Sequence, residues 1–587
     1  MSEDSCNDEM LDLEKNPFEE NEKVQLTRHK KGEIQALKMN RNERRKQLRQ
    51  KKLLQKPYHE VIIKAKPIWE KLRRHDTPIE EKKRLAVDLN CLLQGSVKSL
   101  AYAHDTVRII QGLFSMKMKD ISASLFDQLK GFLNMRATAV VEFKFNLSLL
   151  DDVVVMAKSK YARHIVMKML KYGNTSQRKH IISSFYGHIP ELACHTYAAD
   201  VLQELYITYA KSKTRNDMIS EFYLSKYKLI KDNVPSDLSK VIEENPSAKD
   251  VILKNIREYL LSIADKPVLQ NPMLHRLLRM YLQNCTDNEK TEMVDCFIDR
   301  AIELVHTNDG CNAALDLLWV STVKDRRKLL KSMKMHVTKM CLQAYSYIFV
   351  LAILECVDDK VALEKIVLKE IFSNLESISE SKTGIKVLLY LMMSRDRRYI
   401  PKGVIDILEK GDNKQHRCKK SLSVKAEEIV NLSSEPLLNF VTDHLQALLS
   451  SGSTTLLIPA VLEKAVGNKR PAYEAICNLL NQSCTDRHTV LQNLHLQFLL
   501  NKLLINDRRL LGGGVKSNSI PFAQVFVEHL TVDHLREYCK EKNTAFIILH
   551  LYETGLPAAK STVKALLKNN KSKNDAMEIL RRKIHSD

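Results

Sequence analysis

The chain has 587 residues, 44% of them hydrophobic, and carries 92 Lys and Arg against 71 Asp and Glu, a formal net charge of +21. That is enough apolar material for a large core, and with only 16 Gly and 15 Pro it excludes a fibrous or low-complexity chain and favours helix. So large a positive excess points to an anionic partner, nucleic acid before an acidic protein surface.

The first segment, MSEDSCNDEM, has no apolar leader, and residues 1–22 hold nine acids and one Lys, the composition of a disordered tail. The sign then reverses. Residues 28–56 hold twelve Lys and Arg against Glu33 and Glu43, about half of the net charge. Their centre, with Arg41, Arg44, Arg45, Lys46, Arg49, Lys51 and Lys52, would be basic on nearly every side as a helix. It has too few apolar positions to dock alone, so it reads as a tail that orders on RNA or protein, or as a nuclear or nucleolar import signal. A solvated charge run is the plainer alternative.

From residue 57 the pattern is regular. Residues 58–93 spell two helices, with Pro78 in the first turn of the second. Then HDTVRIIQ, 104–111, opens an amphipathic helix, and YARHIV at 161–166 opens another like it. The step from Val107 to Arg163 is 56 residues. The excess falls at 131–150, which breaks the period. From Tyr161 to Tyr197 the cycle returns after 36 residues, and a three-helix unit of that length cannot bury its own apolar face, so such units stack as a solenoid. Corresponding positions continue at Ser239, Leu274, Cys311, Ser346 and Ile385, a period drifting between 35 and 40. Residues 412–425, DNKQHRCKKSLSVK, read as a basic linker between repeats at 57–411 and a more divergent helical half at 426–587. Within that half, LLGGGVKSNS at 510–519 reads as a flexible connection.

Catalytic signals are missing. There is no HExxH, GxSxG or GxxxxGK[ST] motif, and GGG at 512–514 lacks the Lys and Ser/Thr of a phosphate loop. The twelve cysteines stand singly, as buried thiols do in a reducing compartment, and His180, His188 and His195 read as structural. The longest apolar run, 348–354, is far short of the ~18 residues a membrane helix needs. The expectation is a soluble, intracellular binding protein with no enzyme activity, cofactor or metal.

The strings AYAHDTVRIIQ, AKSKYARHIVMKMLKYG, IISSFYGHIPELACH, HTNDGCNAALDLLW, SKTGIKVLLYL and FVEHLTVDHL resemble repeats of the Pumilio (PUF) family. The resemblance is to its divergent nucleolar Puf-A (pumilio-homologue-3-like) branch with a CPL region, and it covers about residues 100–549. It implies an all-α solenoid of about eleven three-helix, armadillo-type repeats bent into an L. It also implies a monomeric nucleolar factor in large-subunit ribosome biogenesis, with pre-rRNA and pre-ribosomal proteins as partners.

PUF repeats read bases with two edge residues and one stacking residue each. Carried over by position, these are Val107, Gln111 and stacking Arg108; Arg163, Met167 and His164; Ala199, Gln203 and Asp200; and Ser239, Glu243 and Lys240. They continue as Leu274, Leu278 and His275; Cys311, Leu315 and Asn312; Ser346, Val350 and Tyr347; and Ile385, Leu389 and Lys386. Val, Leu and Ile cannot form the hydrogen bonds that base reading needs, which argues against a base code. Contact with the nucleic-acid backbone remains. The candidate residues are Lys98, Arg108, Gln111, Lys158, Lys160, Arg163, His164, Lys168, Lys171, Arg178, Lys179 and Gln203, with single- or double-stranded RNA, or DNA, as ligand. Two rivals stand beside this: a sequence-specific mRNA translational repressor, and a protein-binding helical scaffold of the HEAT or armadillo type.

Overall fold

A computed structural model of the chain describes residues 58–129, 152–228, 235, 237–413, 418–482, 493–512, 520–539, 542–567 and 575–586. The basic tail, the 131–150 insertion and most of the glycine loop lie outside these. Among the described residues every regular element is helical, and no helix is long and apolar enough to cross a membrane. The chain divides into two compact units, Met1–Ser184 and Phe185–Asp587.

In the first unit, helices His59–Arg73 and Ile79–Leu93 pair along their length, the second entered through Pro78. The inner helix α1, His104–Ser115, buries Thr106, Val107, Ile109, Ile110, Leu113 and Phe114, the i, i+3, i+4 stripe of an amphipathic helix. Gly112 of α1 leaves room for the Trp69 indole, which a Cβ would meet at 3.1 Å. The next inner helix, α2, Arg163–Tyr172, packs side by side with α1 through Ile165, Val166, Met169 and Leu170.

The second unit repeats this plan. Its inner helices are α3, Ala198–Glu204, continued by a π-helical turn at Leu205–Tyr209; α4, Pro272–Asn284; α5, Asn308–Val320; α6, Ser346–Cys356; and α7, Gly384–Met393. From α4 to α7 each packs on the next, and α6 is apolar nearly all round and almost wholly buried. The stack continues through helices Leu422–Asp443, Leu457–Lys464, Leu494–Gly512 and Lys542–Glu553. Of the stretch read as a linker, 412–425, the described residues 412–413 and 418–425 pack against this stack. Lys425 is buried one turn into Leu422–Asp443, with its Nζ on the Val357 carbonyl, and Arg395 joins Glu355 to Asp412. Leu510 and Leu511, read as loop, end the helix Leu494–Gly512.

Two devices recur from repeat to repeat. One residue near the start of an inner helix meets the carbonyl six positions back. Thr106 Oγ1 donates to Leu100 O at 2.5 Å, Ser346 Oγ to Met340 O at 2.8 Å, and Thr544 Oγ1 to Tyr538 O at 2.7 Å. Gly310 and Gly384 occupy the same place, where a Cβ would run into the Leu304 and Ile378 carbonyls. The second device is a left-handed turn pinned by the following repeat. Gly187, at φ 86°, donates its N–H to Glu221 at 2.9 Å, and Met335, at φ 70°, donates its N–H to Glu370 at 2.9 Å.

Candidate nucleic-acid interface

In the first unit α1 and α2 present two polar stripes. Arg108, Gln111 and Ser115 follow one another at helical spacing on α1, and His164, Lys168 and Tyr172 do so on α2. The stripes are joined by Lys168 Nζ, which donates to Ser115 Oγ at 3.2 Å. Aromatic rings sit among the cations. Lys168 and Lys171 lie 5.5 and 5.7 Å from the Tyr172 ring, Lys160 lies 5.7 Å from the Tyr161 ring, and His104 meets Tyr161 edge-on at 5.5 Å. Both tyrosine rings are half-buried, and cation–ring contacts still reached by solvent contribute only about 0.5–1 kcal/mol each, little enough for a phosphate or a base to displace them. Arg108, Lys160, His164, Lys171 and Lys179 are exposed; Gln111, Lys158, Arg163 and Lys168 are half-buried.

Two of the expected contact residues already serve the fold. Lys98 pairs with Asp152 at 2.5 Å. Arg178 turns back on the preceding helix, donating from Nε to Leu170 O at 2.8 Å and from Nη2 to Lys171 O at 3.2 Å, which satisfies two of the open carbonyls at the end of α2. Arg215 does the same for Tyr206 O and Ile207 O one repeat later, so this arginine is a capping device.

The positions carried over as base readers are largely closed. Val107, Ala199, Leu274, Leu278, Cys311, Leu315, Val350, Ile385 and Leu389 are all buried. Two repeats are also out of phase with the carried-over register. Ser346 is the residue that meets the carbonyl six back, so the phase established by Thr106, Gly310 and Gly384 puts Tyr347 at the edge place given to Ser346, and half-buried Ile348 at the stacking place given to Tyr347, which is itself 5% exposed. His275, given a stacking role, is 0% exposed. Its Nε2 reaches Leu269 O at 2.6 Å and its Nδ1 reaches Thr307 Oγ1 at 2.7 Å. A carbonyl can only accept, so Nε2 carries the proton and Nδ1 accepts from the hydroxyl. Burial, with His306 nearby, pushes the imidazole down to about 3. Ser239 bonds to Asn284 at the far end of α4 at 3.2 Å, away from the starts of the inner helices.

Gln203 stands on α3 at the rim of a groove of about 800 Å³ whose lining includes Tyr206, Arg215, Asn216, Arg276 and Asn308. Sequence register missed Arg276. It lies two residues after Leu274, the position aligned in its place, and its half-buried guanidinium donates to Asn216 Oδ1 at 2.8 Å.

Comparison with known proteins agrees with this architecture. Residues 380–512 match the family model described as the CPL (NUC119) domain. The chain is 30% identical to Pumilio homolog 3 of Homo sapiens over 92% of its own length and 82% of the relative's. It is 31% identical to Pumilio domain-containing protein 12 of Caenorhabditis elegans, over 75% of this chain and 54% of that one. Among solved structures, human Puf-A superposes with a TM-score of 0.77 at 29% identity, over 89% of this chain and 99% of that one. Human Puf-A in complex with DNA superposes with a TM-score of 0.76 at 30% identity, over 87% and 97%.

Proposed function

The chain belongs to the Pumilio homolog 3, or Puf-A, branch of the Pumilio family, and from that premise we propose that it binds nucleic acid through the backbone, with little selectivity for sequence. Its place of action on this reading is the nucleolus, where it serves pre-rRNA processing and assembly of the large ribosomal subunit. It acts by binding and positioning RNA, not by catalysis.

One observation carries the proposal. Most of the residues that would have to discriminate bases, from Val107 to Leu389, are buried or apolar, while the cations and tyrosines of the α1–α2 stripes are exposed or half-buried. A phosphate-directed surface gives binding that is tolerant of sequence and steeply dependent on salt. That a solved relative is described in complex with DNA supports nucleic acid as the class of partner. The site's own candidates are Arg108, Lys160, Arg163, His164, Lys168 and Lys171, with Lys158, Lys179 and Gln111 beside them in the first unit; Gln203 is a candidate of the second unit, and the basic tail adds non-specific attraction.

The test is a panel of unrelated single- and double-stranded RNAs titrated across a salt series. Affinities alike across sequences, with a steep salt slope, support the reading. One tight and salt-tolerant sequence would make the protein an mRNA regulator instead, and absence of binding would make it a protein scaffold.

A further inference from the structure

Late in the second unit the inner row changes character. Helix α8, Leu494–Gly512, is flanked by Leu457–Lys464 and by α9, Lys542–Glu553, and rests on Phe522–His529. Its remaining side is open and carries Leu494, Phe498, Lys502, Ile505 and Arg509 at helical spacing. Leu494 is 68% exposed and Phe498 43%, while Ile505 is half-buried. Helix α9 is flanked by α8 and by Asp575–Ser586 and rests on Pro557–Leu567. Its open side carries Asn543, Phe546 and His550, the last two rings 6.5 Å apart. Phe546 stands two residues after the anchor Thr544, as Arg108 stands two after Thr106, so a phenyl ring takes the place that a guanidinium holds in α1.

The charges around this apolar surface are one-sided. The carboxylate of Glu553 is taken up by Arg508 at 2.8 Å, by His550 at 3.2 Å and by Lys583. Lys502 and Arg509 lie on the stripe itself, so the surface is apolar with a cationic border. Burying a Leu or Phe side chain contributes about 1.5–3 kcal/mol. Leu494 and Ile505 are branched and aliphatic; they offer a base neither a flat face to stack on nor a partner for its polar edges. They do fit other bulky apolar side chains, and the cations beside them fit carboxylates.

We propose that the open sides of α8 and α9 form a docking surface for a partner protein, which it engages through a segment combining bulky apolar residues with Asp and Glu. Leu494, Phe498 and Phe546 take the apolar side chains, and Lys502 and Arg509 take the carboxylates. The surface is independent of the nucleic-acid reading, whose cations stand on α1 and α2.

The experiment titrates the full-length chain against three short fluorescein-labelled peptides and follows anisotropy. The first is built of Asp, Glu, Leu and Phe; the second replaces its acids by Asn and Gln; the third replaces its Leu and Phe by Ser. The first should bind, and the other two should bind about tenfold more weakly or worse. The variant Leu494→Ser, Phe498→Ser should weaken the first peptide about tenfold at an unchanged thermal midpoint. The charge-reversed variant Lys502→Glu, Arg509→Glu should do the same, with the difference shrinking at high salt. No binding of the first peptide, or equal affinity for the unmodified chain and both variants, overturns the proposal. A labelled single-stranded RNA should bind the Leu494→Ser, Phe498→Ser variant as it binds the unmodified chain. Loss of RNA binding in that variant, without peptide binding by the unmodified chain, would assign the surface to nucleic acid and overturn the proposal as well.

Discussion

Glu370 accepts the backbone N–H of Met335 at 2.9 Å, and its other oxygen accepts that of Thr338 at 2.9 Å. Glu221 holds Gly187 and Ile189 in the same manner, at 2.9 and 3.2 Å. One carboxylate thus clamps a turn of the repeat before it. In one case the turn residue is glycine; in the other a methionine, 80% exposed, is held at φ 70°. For a residue with a Cβ that conformation costs about 1–2 kcal/mol.

Met335→Gly should therefore stabilise the repeat by about 0.5–1 kcal/mol, the relief of strain less the larger unfolded-state entropy of glycine. Glu370→Ala should cost about 1–3 kcal/mol, because two backbone donors lose a charged acceptor. Hydrogen exchange of residues 335–342 reads both effects locally, with slower exchange in the first variant and faster in the second.

Reversing Arg108 and Lys168 to Glu should weaken binding to every RNA and DNA tested by a similar factor. It should also make the slope of log affinity against log salt shallower by about 1.4–1.8, since each position would then neutralise one phosphate fewer. A loss confined to one sequence would mean that bases, not phosphates, are being read.

Arg178→Gln is expected to behave oppositely. The side chain closes the carbonyls of Leu170 and Lys171, so its removal should lower the thermal midpoint of the first repeats, at a cost of about 1–2 kcal/mol, with less than a twofold change in RNA affinity. A strong drop in affinity at unchanged stability would return Arg178 to the interface.

The His275 imidazole sits at about 3 in the fold against an ordinary value of 6.5. The unfolded chain therefore binds the proton first, and the stability this residue confers is present above pH 6.5 and lost as the pH falls from there towards 3. The loss is on the order of a few kcal/mol. His275→Gln should start less stable at pH 7 and show a flatter decline of its thermal midpoint between about pH 6.5 and 4. Parallel declines in the two proteins would remove His275 from the account.

Deleting residues 28–56 should disperse a tagged protein out of the nucleolus, as follows if the twelve-cation segment is the address. Unchanged localisation would put the signal among the repeats.

The helical solenoid was legible in the sequence because periodicity needs only apolar spacing, and α1, α2 and α5 keep it. The register was less legible where the anchor residue changes type. At α4 the place held by Thr106 or Gly310 elsewhere is taken by His275, and at α6 it is taken by Ser346, which was read as an edge residue, so alignment by residue likeness slipped and Arg276 was passed over. Capping by Arg178 looks the same in sequence as a free surface cation; only the distance to Leu170 O separates them. The groove at Gln203 depends on the π-helical turn at 205–209, which has no sequence signature that periodicity can detect.

The bond to the carbonyl six residues back has one more consequence. Where an inner helix is seated by its own anchor, a hydroxyl bond at Thr106, Ser346 or Thr544 or a close backbone approach at Gly310 or Gly384, spacing errors do not pass on to the next repeat. Connecting segments are free to differ in length, and 35, 36 and 38 residues separate the successive anchors His275, Gly310, Ser346 and Gly384. The glycine anchors have almost no latitude. At Gly310 and Gly384 even a methyl group would collide with backbone, so these two glycines should be among the least replaceable residues of a chain that is otherwise permissive of change.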